Sequence, residues 1–307
     1  MGMKEEKKYF KSKLAIIAFF IFFPTLARAS DFFFDLTSDK IYQGDTFIVR
    51  LKLSTADNLI NAVDGSLSFD NNKLEVKEIS AGGSIFSLWP KPATALNDKG
   101  KINFVGGVMG GFQGADAEIL KIIFLAKEEG VAVLNLEKNS FLFLNDGNGT
   151  KVAYKSEPLN LLILKRPANL EPKDEWQPFL EEDKNPPEPF EIIIDRNPAM
   201  FSNKYFASFF TTDKESGIDH YEIKEGEGTL VKANSPYELN DQSLLSKVEV
   251  KAIDKAGNER VAVLQPLHPE KIYQKSLFWS IIIVTFIFLY LYLGGKVWRK
   301  KRSSSAR

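Results

Sequence analysis

Leu277 to Leu293 reads LFWSIIIVTFIFLYLYL, seventeen residues without a charge. As a helix the run rises about 26 Å at ~1.5 Å per residue. That is slightly less than the ~30 Å of a bilayer's hydrocarbon core, and Gly294 and Gly295 extend the uncharged stretch. Trp279 lies near one end, Tyr290, Tyr292 and Trp298 near the other, where aromatic rings favour the headgroup level. Lys296, Arg299, Lys300, Lys301, Arg302 and Arg307 follow, with no acidic residue after Glu270. Basic residues flanking a span stay cytoplasmic. The expectation is a stalk at 266–276, a transmembrane helix at 277–295 and a cytoplasmic basic tail at 296–307. The domains before the span would then be extracellular, on a single-pass protein of the cell membrane. No Leu-Pro-x-Thr-Gly stretch precedes Leu277, so the apolar segment is expected to persist in the mature chain.

The N-terminus matches this topology. Lys4, Lys7, Lys8, Lys11 and Lys13 precede the ten-residue apolar run Leu14–Phe23, Pro24 breaks it, and Ala27-Arg28-Ala29 offers small residues at the peptidase positions. That layout predicts a signal peptide at 1–29; an uncleaved anchor would leave the same segment outside.

Forty basic and forty acidic residues balance, and the positive charge gathers at the two ends, leaving a mildly acidic middle. This argues against a nucleic-acid partner. There is no cysteine, so stability rests on hydrophobic cores, and roughly 245 exported residues suffice for two domains. With His220 and His268 the only histidines, histidine-based nucleophilic catalysis and multi-histidine metal sites lack residues. No pair of carboxylates stands out for glycoside hydrolysis. The chain reads as no enzyme, with no catalytic residue, no cofactor and no metal ligand assigned.

From Asp31 to Leu164 the pattern is strands and turns. Phe47, Val49, Leu51 and Leu53 alternate with Ile48, Arg50 and Lys52, and Val63, Leu67 and Phe69 alternate with Asp64, Ser66 and Ser68. A period of two marks half-buried strands. Short strands at Leu74–Val76, Lys101–Val105, Leu120–Ala126, Val131–Leu136, Phe141–Leu144 and Leu159–Leu164, separated by Asn, Asp and Gly turns, predict a β-sandwich over 30–165.

Three blocks of this region resemble a cohesin module: INAVDGSLSFDNNKLEVKEI at 60–79, KINFVGGVMGGFQGADAEILKIIFLAK at 101–127 and NDGNGTKV at 145–152. The resemblance implies a nine-stranded jelly roll that binds a dockerin-like protein through one sheet face. Carbohydrate-binding modules share much of the pattern, so a cell-surface polysaccharide is the alternative ligand, with Trp89 a candidate for stacking on sugar. Asp64 matches a position where dockerin-binding members commonly carry a contact aspartate, and alternation puts it outward beside Ser66 and Ser68. The neighbouring stretch offers Val105, Val108 and Met109 among four glycines. These six are the candidate partner-binding residues. Against that, Asp64 is read as an ordinary solvated residue and the glycines as a bulge. Asp146-Gly-Asn148-Gly-Thr150 reads as a tight turn rather than a calcium loop.

Arg166 to Pro189 holds six prolines among acidic residues and predicts a semi-rigid extended linker over 166–189, with Trp176 and Phe179 candidates to pin part of it to a domain surface. Alternation returns at Glu191–Asp195, Tyr205–Thr211, His220–Lys224, Lys247–Ile253 and Arg260–Leu264. TDKESGIDHYEIK at 212–224 and VEVKAIDKAGNE at 248–259 resemble Ig-like or fibronectin-III-like modules of bacterial surface proteins, which implies a small β-sandwich over 190–265. Asp213, Glu215 and Asp219 could together bind an ion, but they are read as solvated loop carboxylates. The expected whole is an all-β protein: a jelly-roll sandwich and an Ig-like sandwich, exported and anchored by one C-terminal helix.

Overall fold

The computed structural model describes residues 30–268 and 276–304. The expected signal peptide, most of the expected stalk and the last three residues lie outside these. Thirteen strands build the first domain: β1 (Ser30–Leu36), β2 (Ile41–Tyr42), β3 (Thr46–Ser54), β4 (Ile60–Phe69), β5 (Leu74–Ser80), β6 (Leu88–Leu96), β7 (Lys101–Phe112), β8 (Ala117–Ala126), β9 (Gly130–Leu136), β10 (Phe141–Leu144), β11 (Lys151–Val152), β12 (Tyr154–Ser156) and β13 (Leu159–Leu164). One sheet runs β12-β1-β3-β8-β5. In the other, β7 joins β6 to β4, while β10 and β9 share the far edge of β4 and β9 continues through β13 to β2.

The inward sides of the alternating strands meet in one core. Phe32, Phe47, Leu51, Leu53, Leu67, Phe86, Phe104 and Phe124 are all buried in it, each contributing about 1.5–3 kcal/mol by leaving water. Strand β6, which alternation did not reveal, contains Pro90 and Pro92. A proline cannot donate to a ladder, and β6 sits at an edge where it pairs only with β7.

The linker departs from expectation. It is fastened to the first domain and contains a helix, α1 (Trp176–Glu182). Arg166 pairs with the buried Asp45 at 2.5 Å. Thr46 N donates to the Lys173 carbonyl at 2.9 Å and Glu175 N to the Thr46 carbonyl at 3.0 Å. Asp174 Oδ1 accepts from the Trp176 and Gln177 amides at 2.8 and 3.2 Å, capping the helix start. Pro178 falls in the first turn, where its missing N–H removes no helical bond, so proline content did not forbid a helix. Trp176 and Phe179 stack at 5.2 Å, and Lys121 lies 5.5 Å from the Phe179 ring.

A second β domain follows: β14 (Ile192–Arg196), β15 (Tyr205–Phe209), β16 (Ile218–Glu225), β17 (Val231–Ala233), β18 (Tyr237–Glu238), β19 (Val248–Asp254) and β20 (Glu259–Leu264). A β14-β15-β18 sheet and a β17-β16-β19-β20 sheet enclose a core of Ala207, Phe209, Ile223, Leu239 and Val250.

Helix α2 (Ser276–Ser304) closes the described chain. Leu277–Gly294 has a mean hydropathy of 2.2 and no share of it is buried against the rest of the protein. By length and composition it is apolar enough to cross a membrane. The helix continues through Gly294, Gly295 and the basic segment rather than ending at 295.

Candidate partner-binding face

The two sheets of the first domain present different outer surfaces. On the β1-β3-β8 side, the cross-strand partners Ile48 and Ile123 and their neighbour Lys121 are buried yet stand outside the core cluster. They lie under the chain's own later segments. Helix α1 packs on β3, and Glu175 Oε2 accepts from the Ile48 amide at 3.1 Å. Lys121 donates to the Gly82 carbonyl and, at 3.3 Å, to the Glu215 carbonyl of the second domain.

The β6-β7-β4-β10 surface is left bare. Register sets Lys91, Val105, Asp64 and Phe141 side by side across four strands, with Gly107, Ala62 and Phe143 in the next row. Asp64 is exposed. Phe141 and Phe143 lie 6.4 Å apart, and Lys151 sits 3.3 Å above the Phe141 ring, a cation–π contact. Met109, at the end of β7, is 79% exposed. The same sheet continues through β9 and β13, where Val131, Val133 and Leu162 are exposed.

Three of the six candidate residues, Asp64, Val105 and Met109, come together on this surface. Ser68 is half-buried beside them and opposite Lys101. Ser66 differs: it points outward but is 7% exposed. Its hydroxyl donates to Glu137 Oε2 at 2.8 Å and its amide to Ser140 Oγ at 3.0 Å, so the loop after β9 covers it. Glu137 is held below the usual carboxylate range by Lys101 first and then by Ser66. Val108 turns inward and packs against the core. The glycines of β7 serve the fold. A Cβ on Gly106 would meet Phe86 and Trp89 at 2.9 Å, and Gly110 and Gly111 take φ of +79° and +78° near the β4–β7 register shift.

Trp89 is half-buried. Its ring packs edge-on against Phe86 at 6.0 Å and leans on Phe104 at 6.3 Å. It lines a cleft of about 410 Å³ between the two domains rather than the bare face. Phe141, Phe143, Val131, Val133 and Leu162 were missed. Their alternation was visible, but which parity faces the core depends on sheet partners.

A second cluster forms at the domain junction. Asp183, Asp213 and Asp254 are 3%, 4% and 1% exposed, and one carboxylate oxygen from each lies within 4.8 Å of the others. Asp213 is thus buried, not solvated, and Glu215 is half-buried and accepts from the Asn185 side chain at 2.8 Å; Asp219 is exposed as expected. Asp183 joins from the linker and Asp254 from the end of β19. Asp146 stays in an exposed turn, accepting from Asn148 N at 2.9 Å and from the Thr150 hydroxyl.

The cohesin domain family matches residues 33–156. No curated protein matches the chain. Among solved structures, a non-cellulosomal cohesin from the archaeon Archaeoglobus fulgidus is 18% identical at a TM-score of 0.37, over 45% of this chain and 92% of that one. A cohesin module of a Clostridium perfringens family 33 glycoside hydrolase is 15% identical at a TM-score of 0.37, over 45% and 98%. The cohesin of a type I cohesin–dockerin complex from Clostridium thermocellum is 16% identical at a TM-score of 0.39, over 45% and 95%. Residues 33–156 are therefore a cohesin domain, a non-catalytic binding module, followed by a further β domain and a C-terminal apolar helix.

Proposed function

We propose that this chain is an exported, membrane-anchored binding protein whose cohesin domain takes a protein partner on the outer face of β6-β7-β4-β10. The observation that carries the reading is the contrast between sheets: the chain covers one with its own linker and second domain and leaves the other bare. Asp64 at the centre supplies a charge, while Val105, Phe141 and Met109 supply apolar area. That mixture suits a protein surface, which combines an apolar middle with a polar rim. The partner is a dockerin-like or other surface protein. The second domain, with its three- and four-stranded sheets in a fibronectin-III-like order, and the apolar helix hold the binding face away from a bilayer. The basic residues after the span would stay cytoplasmic.

Capture from the same organism with the full-length chain tests this. Wild type should retain a protein that Asp64→Arg and Met109→Glu release. Equal capture by all three would move the site off this face. External protease on cells with permeabilised outer layers should remove the folded domains; their protection would contradict the orientation. A polysaccharide reading rests on the Phe141–Phe143 pair. Retention on glycans, lost in Phe141→Ala, would replace the protein partner with sugar.

A further inference from the structure

Three buried aspartates converge at the junction, and beside them stands Glu215, whose carboxyl is raised chiefly by its contact with Asp183. No lysine or arginine pairs with Asp183, Asp213 or Asp254 among the described residues; the nearby Lys121, Lys214 and Lys255 pair instead with Glu118, Glu188 and Glu78. Each carboxylate is held by backbone amides, all local except for one that the β15–β16 loop donates to Asp183. Asp183 accepts from Asn185 N at 3.0 Å and Ser216 N at 3.1 Å. Asp213 accepts from Glu215 N at 3.0 Å and Gly217 N at 2.8 Å, and Asp254 from Asn258 N at 2.8 Å. These bonds fix the orientation of three buried carboxylates without supplying a positive charge.

A second observation points to a ligand. The Ser216 hydroxyl is fully buried and has no hydrogen-bond partner, though it lies close enough to Asp183 to act on that carboxylate. A buried hydroxyl is normally satisfied. Here it stands beside a convergent set of oxygen donors.

We propose that Asp183, Asp213 and Asp254, with Ser216 at their edge, form a calcium site that locks the junction between the cohesin domain and the second β domain. The donors are all oxygen, which selects a hard cation. Calcium takes six to eight oxygens at about 2.3–2.6 Å, so its shell spans roughly 4.6–5.2 Å across, wide enough for oxygens within 4.8 Å of one another. Magnesium favours a smaller octahedron that keeps several waters, which a buried, all-protein set serves poorly. The ligands come from three segments: the end of the linker, the β15–β16 loop and the β19–β20 turn. The β15–β16 loop also touches the cohesin domain. Gly83 N donates to the Asp213 carbonyl at 3.0 Å, and Ser80 Oγ donates to the Ser216 carbonyl at 2.5 Å. A Cβ on Gly82 would collide with the Glu215 carbonyl. One ion would thus set the linker end and the docking loop together.

The test uses the full-length chain in detergent, stripped with chelator and titrated calorimetrically with calcium chloride and separately with magnesium chloride. Calcium should bind at one site, raise the melting temperature and slow tryptic cleavage after the exposed Lys184. Asp213→Asn and Asp254→Asn, each close to isosteric, should weaken calcium at least roughly tenfold, with circular dichroism confirming that they fold. Absence of wild-type calcium binding up to about 10 mM, well above the weakest extracellular calcium modules, would overturn the proposal, and that measurement needs no variant. Undiminished binding in folded variants, or equal affinity for magnesium, would overturn it as well.

Discussion

The two sheets of the cohesin domain use the same alternating pattern to opposite ends. On β3 and β8 the outward residues Ile48, Ile123 and Lys121 are as buried as core residues because α1 and the β15–β16 loop lie on them. On β4, β7 and β10 the outward residues Asp64, Val105, Phe141 and Met109 meet water or are only half covered. One sheet therefore builds stability and the other keeps a surface available. A substitution's effect should depend on which sheet it touches more than on its chemistry.

The largest effects belong to the covered side. Asp45→Ala should cost about 3–5 kcal/mol, because it leaves the Arg166 guanidinium without its buried partner, read as a fall in the urea midpoint. Ile123→Ala should cost about 2–5 kcal/mol by opening a cavity between β8 and the segments above it. A loss near zero would mean that those segments do not stay docked.

On the bare side, Asp64→Arg and Met109→Glu should change stability by no more than ~0.5 kcal/mol. Partner binding should weaken by about 2 kcal/mol, roughly thirtyfold. A large loss of stability in either variant would erase the contrast between the sheets.

Acid should weaken the linker's attachment. Burial raises the Asp45 carboxyl, but the amides of Lys173 and Tyr42 and the Arg166 guanidinium outweigh it and hold it below its usual 3.8. A lowered folded-state pKa contributes stability that is complete above the unfolded value and is lost as pH falls through the folded one. The gap in urea midpoint between wild type and Asp45→Asn should therefore be constant from neutral pH to about pH 5 and narrow below it. A gap that widens in acid would reverse the assignment. Lys52→Gln, near the end of β3, the central strand of the covered sheet, removes ion pairs with Asp35 and Asp116 that are worth about 0–1 kcal/mol, and partner binding should not change at all.

Much of the architecture was legible in the chain. The period-two runs at Thr46–Leu53 and Val63–Phe69 are strands with the expected inward sides, and residues 33–156 are a cohesin domain. Leu277–Gly294 is one apolar helix. What the chain concealed depended on distant partners. Ser66 shares its parity with Asp64, but only the return of Glu137 and Ser140 shows that it is capped. Val108 shares the inward parity of Ile102 and Phe104, but it was grouped with Val105 and Met109 as an apolar residue among the glycines rather than placed by alternation. The linker's prolines suggested an extended spacer, whereas Pro178 occupies a helical first turn. Asp183, Asp213 and Asp254 come from three separate segments, and no local spacing announces that they converge.

Because the chain contains no cysteine, a single introduced thiol reports on one position. Asp64→Cys and Lys52→Cys, one on each sheet of the full-length protein at the cell surface, should be treated with a short thiol-reactive crosslinker and probed for protein adducts. The expected result is a discrete partner adduct from position 64 and none from position 52. Adducts of the same partner from position 52 alone, or equally from both, would contradict a binding site on the bare sheet.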